Sequence, residues 1–267
     1  MRITVVTIFP EMFPAFLDEG MVRVARERGL LDVQIVNLRD FTKDKHKTTD
    51  DAPFGGGVGM VMQAEPIFQA VEAQAPDPAE RHVVLFTPQG RPFEQADAQR
   101  LAGLSHVVLL CGRYKGVDER VAEHLVDEEL SLGDFVLSGG EPAALCVVDA
   151  VARLLPGVLG DFDSAESDSF HSGLLDSAYY TRPAEFRGWK VPDVLLSGDH
   201  GKIARFRRED ALRRTFERRP DLLEQVELDA ADRKYLRTLT GEPEPAPPPR
   251  TKRPRARGPV ESPKEKP

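Results

Sequence analysis

The chain is poor in several things whose absence narrows the field. Of its 267 residues only two are cysteine, Cys111 and Cys146, at no disulfide or metal-ligand spacing, which excludes a cystine scaffold and fits a reducing, cytoplasmic setting. No apolar run is long enough to cross a membrane. The apolar opening at residues 3–9 is far too short, no small-residue cleavage site follows it, and no membrane partner is expected. The Walker pattern is missing, and the glycines at 55–59 lack both the spacing and the preceding strand of a dinucleotide fingerprint. Positive charge is in deficit overall, and the net −8 argues against indiscriminate nucleic-acid binding. What is present, 40% hydrophobic and 30% charged residues, is the composition of an ordinary globular protein with one large domain or two smaller ones.

Charge is unevenly distributed. Residues 201–220 carry eight Lys or Arg against three acids, and residues 242–267 carry seven against four. Any polyanion site therefore belongs to the C-terminal third; for the first of these stretches a solvated charged face is the plainer account and a groove for nucleic-acid phosphate the alternative. The last stretch holds nine prolines in 26 positions and no aromatic residue, so it is expected to be a disordered, Pro-rich basic tail.

Periodicity supplies the fold class. Residues 2–9 read as a strand, 12–28 as an amphipathic helix closed by Gly29, and 32–38 as a second strand. Further strands at 82–86 and 106–110 alternate with helices at 65–75, 93–104 and 117–125. Helices between strands predict an α/β domain with a parallel sheet. From residue 174 onward the pattern is that of a small helical domain. Trp189, Val191, Val194, Leu195 and Leu196 are expected as apolar anchors, and Asp199 and Asp229 as helix caps.

Three apolar segments end in glycine-bearing loops: Thr87-Pro88-Gln89-Gly90, the turn from Cys111 through Gly112 to Gly116, and the stretch 131–141. Beyond the carboxyl ends of parallel strands such loops converge on one small molecule and hold it by main-chain groups, a mode that suits a purine edge. Ser138 is expected to cap the following helix, and Gly139 and Gly140 to give backbone freedom and close approach. That helix, 142–155, has only Asp149 and Arg153 as charges. Either they pair with each other at (i, i+4), or the Arg153 guanidinium is held to face a site. The glycine run at 55–59 is either a cover over the site or a plain mobile loop. The acids between 160 and 173 read as a solvated linker.

These residues together resemble the bacterial tRNA (guanine-N1)-methyltransferases. The resemblance is carried by HKTTDDAPFGGGVGM at 46–60, PQGR at 88–91, CGRY at 111–114, SLGDFVLSGGE at 131–141, RLLPGVLG at 153–160, DSF at 168–170 and YTRP at 180–183, in order across about 240 residues. It implies a trefoil-knotted S-adenosylmethionine-binding α/β domain at 1–160, an interdomain linker at 161–175, a helical tRNA-binding domain at 176–241 and the tail at 242–267. It also implies a homodimer with shared active sites acting on the tRNA anticodon arm, at N1 of the guanosine 3′ of the anticodon when another guanosine precedes it. The cofactor would lie against Thr87, Pro88, Gln89, Gly90, Gly112, Leu132, Gly133, Asp134, Phe135, Val136, Leu137, Gly139 and Gly140. Asp168 takes the family's general-base position, on a linker lent by the other subunit, and Arg153 the position that meets charge on guanine O6. The sequence departs from the pattern at Lys115, where glutamate is expected. An ammonium group cannot ligate a metal, so no metal ligands are assigned and a role for Mg²⁺ stays open. Two rivals also stay open: a knotted methyltransferase for another RNA site, and a non-catalytic RNA-binding protein.

Overall fold

The computed structural model describes residues 1–158 and 168–241. Residues 161–167 of the expected linker and the whole basic tail lie outside the described residues. The chain divides into two compact units, Met1–Asp176 and Ser177–Pro267.

Among the described residues the first unit is built on a five-stranded sheet in the order β2-β1-β6-β5-β7. Its strands are β1 (Arg2–Thr7), β2 (Asp32–Asn37), β5 (His82–Pro92), β6 (His106–Cys111) and β7 (Glu128–Ser131), every pairing parallel. The central strands are continuous apolar runs because both faces are covered. Successive residues feed two different cores: Val5, Val84, Val107 and Leu109 enter one, while Val6, Val83, Val108 and Leu110 enter the other. The first core is closed by α2 (Gly20–Glu27), α4 (Gln95–Ala102) and α6 (Glu141–Ala152), through Val22, Leu101, Val147 and Val151. The second is closed by α3 (Ala64–Gln74) and α5 (Glu119–His124), through Ile67, Val71 and Val121. The sheet order puts the ends of β6, β5 and β7 side by side, so the loops that leave them are neighbours.

Three local expectations are corrected. The helix predicted over 12–28 is broken into α1 (Pro14–Leu17) and α2, because Gly20 takes φ +60°. The strand predicted to stop at Phe86 resumes: Phe86 and Arg91 both pair with Leu130, so residues 87–90 are looped out of a strand that rejoins the same neighbour. Helix α6 is capped by Gly140 without any side-chain bond, so Ser138 is not its cap, and it begins at Glu141, a fully buried acid.

The second unit contains α7 (Asp193–Leu196), α8 (His200–Arg218), a 3₁₀ turn at Pro220–Glu224 and α9 (Ala230–Thr240). Asp199 accepts from the Lys202 N–H, and Asp229 and Asp232 form a reciprocal capping box, as the sequence predicts for both cap positions. The unit is not all helix, since β8 (Glu185–Phe186) and β9 (Trp189–Lys190) form a short hairpin. Trp189 and Leu196 are not anchors but exposed, at 70% and 59%. The basic face of α8 is largely answered by acids of α8 and α9: Arg208 donates to the buried Asp232 of α9 at 2.7 Å, and within α8 Arg214 donates to Asp210 at 2.8 Å and Arg213 to Glu217 at 2.9 Å. That pairing leaves much less free positive charge than the residue count implies.

Candidate active site

The looped-out segment of β5 and the loops after β6 and β7 line a cavity of about 390 Å³. Of the residues expected around a cofactor, Thr87, Pro88, Gln89, Gly112, Leu132, Gly133, Phe135, Val136, Leu137, Gly139 and Gly140 line it. Gly90 and Asp134 do not. Gly90 lies against β7, where a Cβ would come within 2.5 Å of the Glu129 carbonyl carbon; it permits the strand to close after the looped-out residues. Asp134 points to solvent. Lining residues that pattern reading missed include Glu119, Glu129 and Ala143. They come from helices and a strand, where nothing local distinguishes a wall of a cavity from a core position.

Behind the cavity sits a buried ion pair. Glu141, with no exposed surface, accepts from Thr7 Oγ1 at 2.7 Å and from Arg113 Nε at 3.0 Å. The Arg113 guanidinium also lies over the Phe9 ring, 4.3 Å from its centroid. Gly139 bridges Arg113 in antiparallel fashion, and the Gly140 N–H donates to the Gly112 carbonyl at 2.9 Å. Neither glycine has a positive φ, so backbone freedom is not the reason for the pair. Close approach is: a Cβ on Gly139 would overlap Arg113 and Glu141, and one on Gly140 would lie 2.8 Å from the Cys111 Cα. Burial, and then the Glu141 charge, push the Cys111 thiol well up, so it is an inert core residue.

A second network holds the looped-out segment of β5. Arg91 clamps Asp97 through both terminal nitrogens, at 2.5 and 2.7 Å, and donates to Glu128 at 2.9 Å; Arg100 joins both acids, and His82 meets Glu128 at 2.8 Å. Hydrogen bonding from Arg91 outweighs burial and draws the Asp97 carboxyl down to about 2. Burial raises Glu128, but bonds from Arg100 and His82 outweigh it and leave the group lowered. Asp97 starts from 3.8, so the depression stabilises the fold above that pH and is lost as pH falls through about 2. We expect acid titration between these limits to remove about 2 kcal/mol of stability. Asp97→Asn should flatten that part of the pH–stability curve, measured by urea unfolding.

The glycine-rich loop at 52–60 joins β3 (Asp50–Asp51) to β4 (Val61–Met62), an antiparallel pair. Its base is tied to the cavity wall: Lys115 N–H donates to Met60 O and Met62 N–H to Gly116 O, both at 3.0 Å. Phe54 and Val58 within it are fully and nearly fully exposed. Tyr114, at φ +61°, turns the chain so that both Tyr114 and Lys115 line the cavity.

The two expected catalytic residues meet each other and not the cavity. Arg153, the C-cap of α6, donates through a terminal nitrogen to Asp168 Oδ2. The alternative partner, Asp149, receives no side-chain bond from it; only the Arg153 backbone N–H reaches the Asp149 carbonyl, at 3.3 Å. Both side chains are about two-fifths exposed. The cavity lies at the N-terminal end of α6, and twelve residue steps of about 1.5 Å put Arg153 roughly 18 Å further along the helix.

Among the described residues no cluster of His, Cys, Asp or Glu converges as a bound metal requires, and no helix is long and apolar enough to cross a membrane. The family model described as tRNA (Guanine-1)-methyltransferase TrmD matches residues 1–225. Relatives named tRNA (guanine-N(1)-)-methyltransferase include one from Dehalococcoides mccartyi, 52% identical over 92% of this chain and 99% of its own length. Another, from Moorella thermoacetica, is 53% identical over 90% and 97%, and one from Geobacter metallireducens is 52% identical over 90% and 98%. With its cavity at the sheet's carboxyl edge and this likeness along nearly its whole length, the chain belongs to the tRNA (guanine-1)-methyltransferase family.

Proposed function

We propose that this chain transfers the methyl group of S-adenosylmethionine to N1 of guanosine 37, just 3′ of the anticodon, in tRNAs where another guanosine precedes it. It acts in the cytoplasm as a homodimer, and its first unit carries the trefoil knot of the family. The observation that carries this reading is the separation within one chain of the cavity from the Arg153–Asp168 pair. Two copies packed so that one chain's pair meets the other's cavity complete two sites. The second unit then holds the anticodon arm.

The cavity suits the methyl donor. Its volume falls in the range of small-ligand sites, and its walls offer main-chain N–H and C=O groups from three loops beside the apolar Phe135, Val136 and Leu137. S-adenosylmethionine supplies an electrophilic methyl on a positively charged sulfur. The loops hold and orient it, which is most of what an in-line transfer needs.

Guanine N1 carries a proton and becomes nucleophilic when that proton leaves. The Asp168 carboxylate takes it, and the Arg153 guanidinium meets the charge that spreads to O6. In the chain these two groups satisfy one another. A donor beside an acceptor matches the O6 and N1–H edge of guanine, so the base replaces their mutual bond with two others, and little hydrogen bonding is lost. Lys115, on the cavity wall, cannot ligate a metal in its ammonium form, and no step here is routed through magnesium.

Labelled methyl transfer to tRNA transcripts with and without the guanosine pair tests this reading. N1-methylguanosine is expected only where the pair is present. Donor binding without transfer to either transcript overturns it and favours a non-catalytic RNA-binding protein.

A further inference from the structure

The second unit carries an exposed aromatic surface that its own fold does not use. β8 and β9 are joined by a two-residue turn in which Arg187 and Gly188 both have positive φ, 54° and 83°. Such turns follow the twist of the strands and favour glycine or asparagine, so a left-handed arginine is unusual. Phe186 and Trp189 face each other across the hairpin, with ring centroids 6.3 Å apart and planes tilted by 48°. Both remain exposed, at 55% and 70%. The turn places the Arg187 guanidinium 5.1 Å from the centroid of the Phe186 ring. Lys190 adds a second cation, only loosely matched by Glu185 at 3.8 Å.

We propose that this hairpin is a stacking platform for an unpaired RNA base. The inference rests on the reading of tRNA as substrate and adds where a splayed nucleobase is gripped. Flat π-faces in water beside a guanidinium suit a nucleobase, with Arg187 and Lys190 set to meet the adjoining phosphates. Charge complementarity favours RNA over a second copy of this chain, whose net charge is −8. A two-stranded hairpin alone is only marginally stable, so a base laid across it would also order it.

Trp189 is the only tryptophan in the chain, so its emission reports on the platform alone. The full-length protein is titrated with a tRNA transcript, and separately with a blunt RNA duplex that has no unpaired base. The transcript is expected to quench the emission and the duplex to leave it unchanged. Trp189→Ala should weaken transcript binding roughly tenfold with an unaltered salt dependence, and Trp189→Phe should restore most of it. Arg187→Ala should lower the salt slope by about one. Transcript binding with unquenched emission, or Trp189→Ala binding within about twofold of the wild type, overturns the proposal. Emission that shifts with protein concentration in the absence of RNA overturns it in favour of self-association. If Trp189→Ala fails to fold, quenching in the wild type and binding by Trp189→Phe decide. A wild-type chain that methylates tRNA with unquenched emission loses only this inference, whereas one that neither binds nor methylates tRNA loses both readings.

Discussion

Asp168→Asn is expected to slow methyl transfer by roughly 10²- to 10⁴-fold while S-adenosylmethionine binding stays nearly unchanged. Asparagine is close to isosteric, and its carbonyl oxygen can still accept from Arg153, so the local geometry survives. What is lost is the capacity to take a proton from N1. Within its own chain Asp168 does not line the cavity, so the walls proposed to hold the donor keep their residues. Single-turnover transfer to tRNA measures the first quantity and calorimetry with the donor measures the second. Turnover at the wild-type rate would remove Asp168 as the base. A matching loss of donor affinity would instead assign the residue a structural role.

Glu141→Ala should be the most damaging single change to the first unit, costing about 3–5 kcal/mol. The Arg113 guanidinium is only 17% exposed, and Glu141 is the carboxylate that answers it. Removing the acid leaves a poorly hydrated cation and takes away the acceptor of the Thr7 hydroxyl. It also loosens the wall where Gly139 lies against the pair, so donor affinity should fall together with stability. Glu141→Gln keeps an acceptor without the charge and should lose less. Urea midpoints of the two variants, read beside donor binding, separate the effects. A loss below about 1 kcal/mol for Glu141→Ala would mean that the buried pair has relaxed into water.

The features legible in the sequence are those carried by neighbours along the chain. Strands β1, β5 and β6 announce themselves because a strand buried on both faces must be apolar at successive positions. The caps Asp199 and Asp229 are equally local, each answering N–H groups within one turn. The three glycine loops stood out for the same reason, and eleven of the thirteen residues expected around a cofactor do line the cavity. Gly90 failed that test because its constraint is set by the β7 backbone alongside it, a strand some forty residues away in the chain.

Partner choice was not legible. Arg153 had a sequence-near partner in Asp149 and bonded instead to Asp168. Glu141 reads as the first residue of a helix, and only the arrival of Thr7 and Arg113, 134 and 28 residues away, makes it a buried ion. Trp189 looked like a core anchor and is exposed, because burial depends on what packs over a ring and not on the ring. The sequence by itself therefore determined the parallel sheet, its helices and the loops that carry the site, since local periodicity and backbone constraint are written within a few residues. The tertiary structure alone decided which charges are neutralised, why Gly139 and Gly140 must be small, and that one chain keeps its cavity and its Arg153–Asp168 pair apart. Those outcomes depend on distances between residues remote in the chain, which periodicity does not encode.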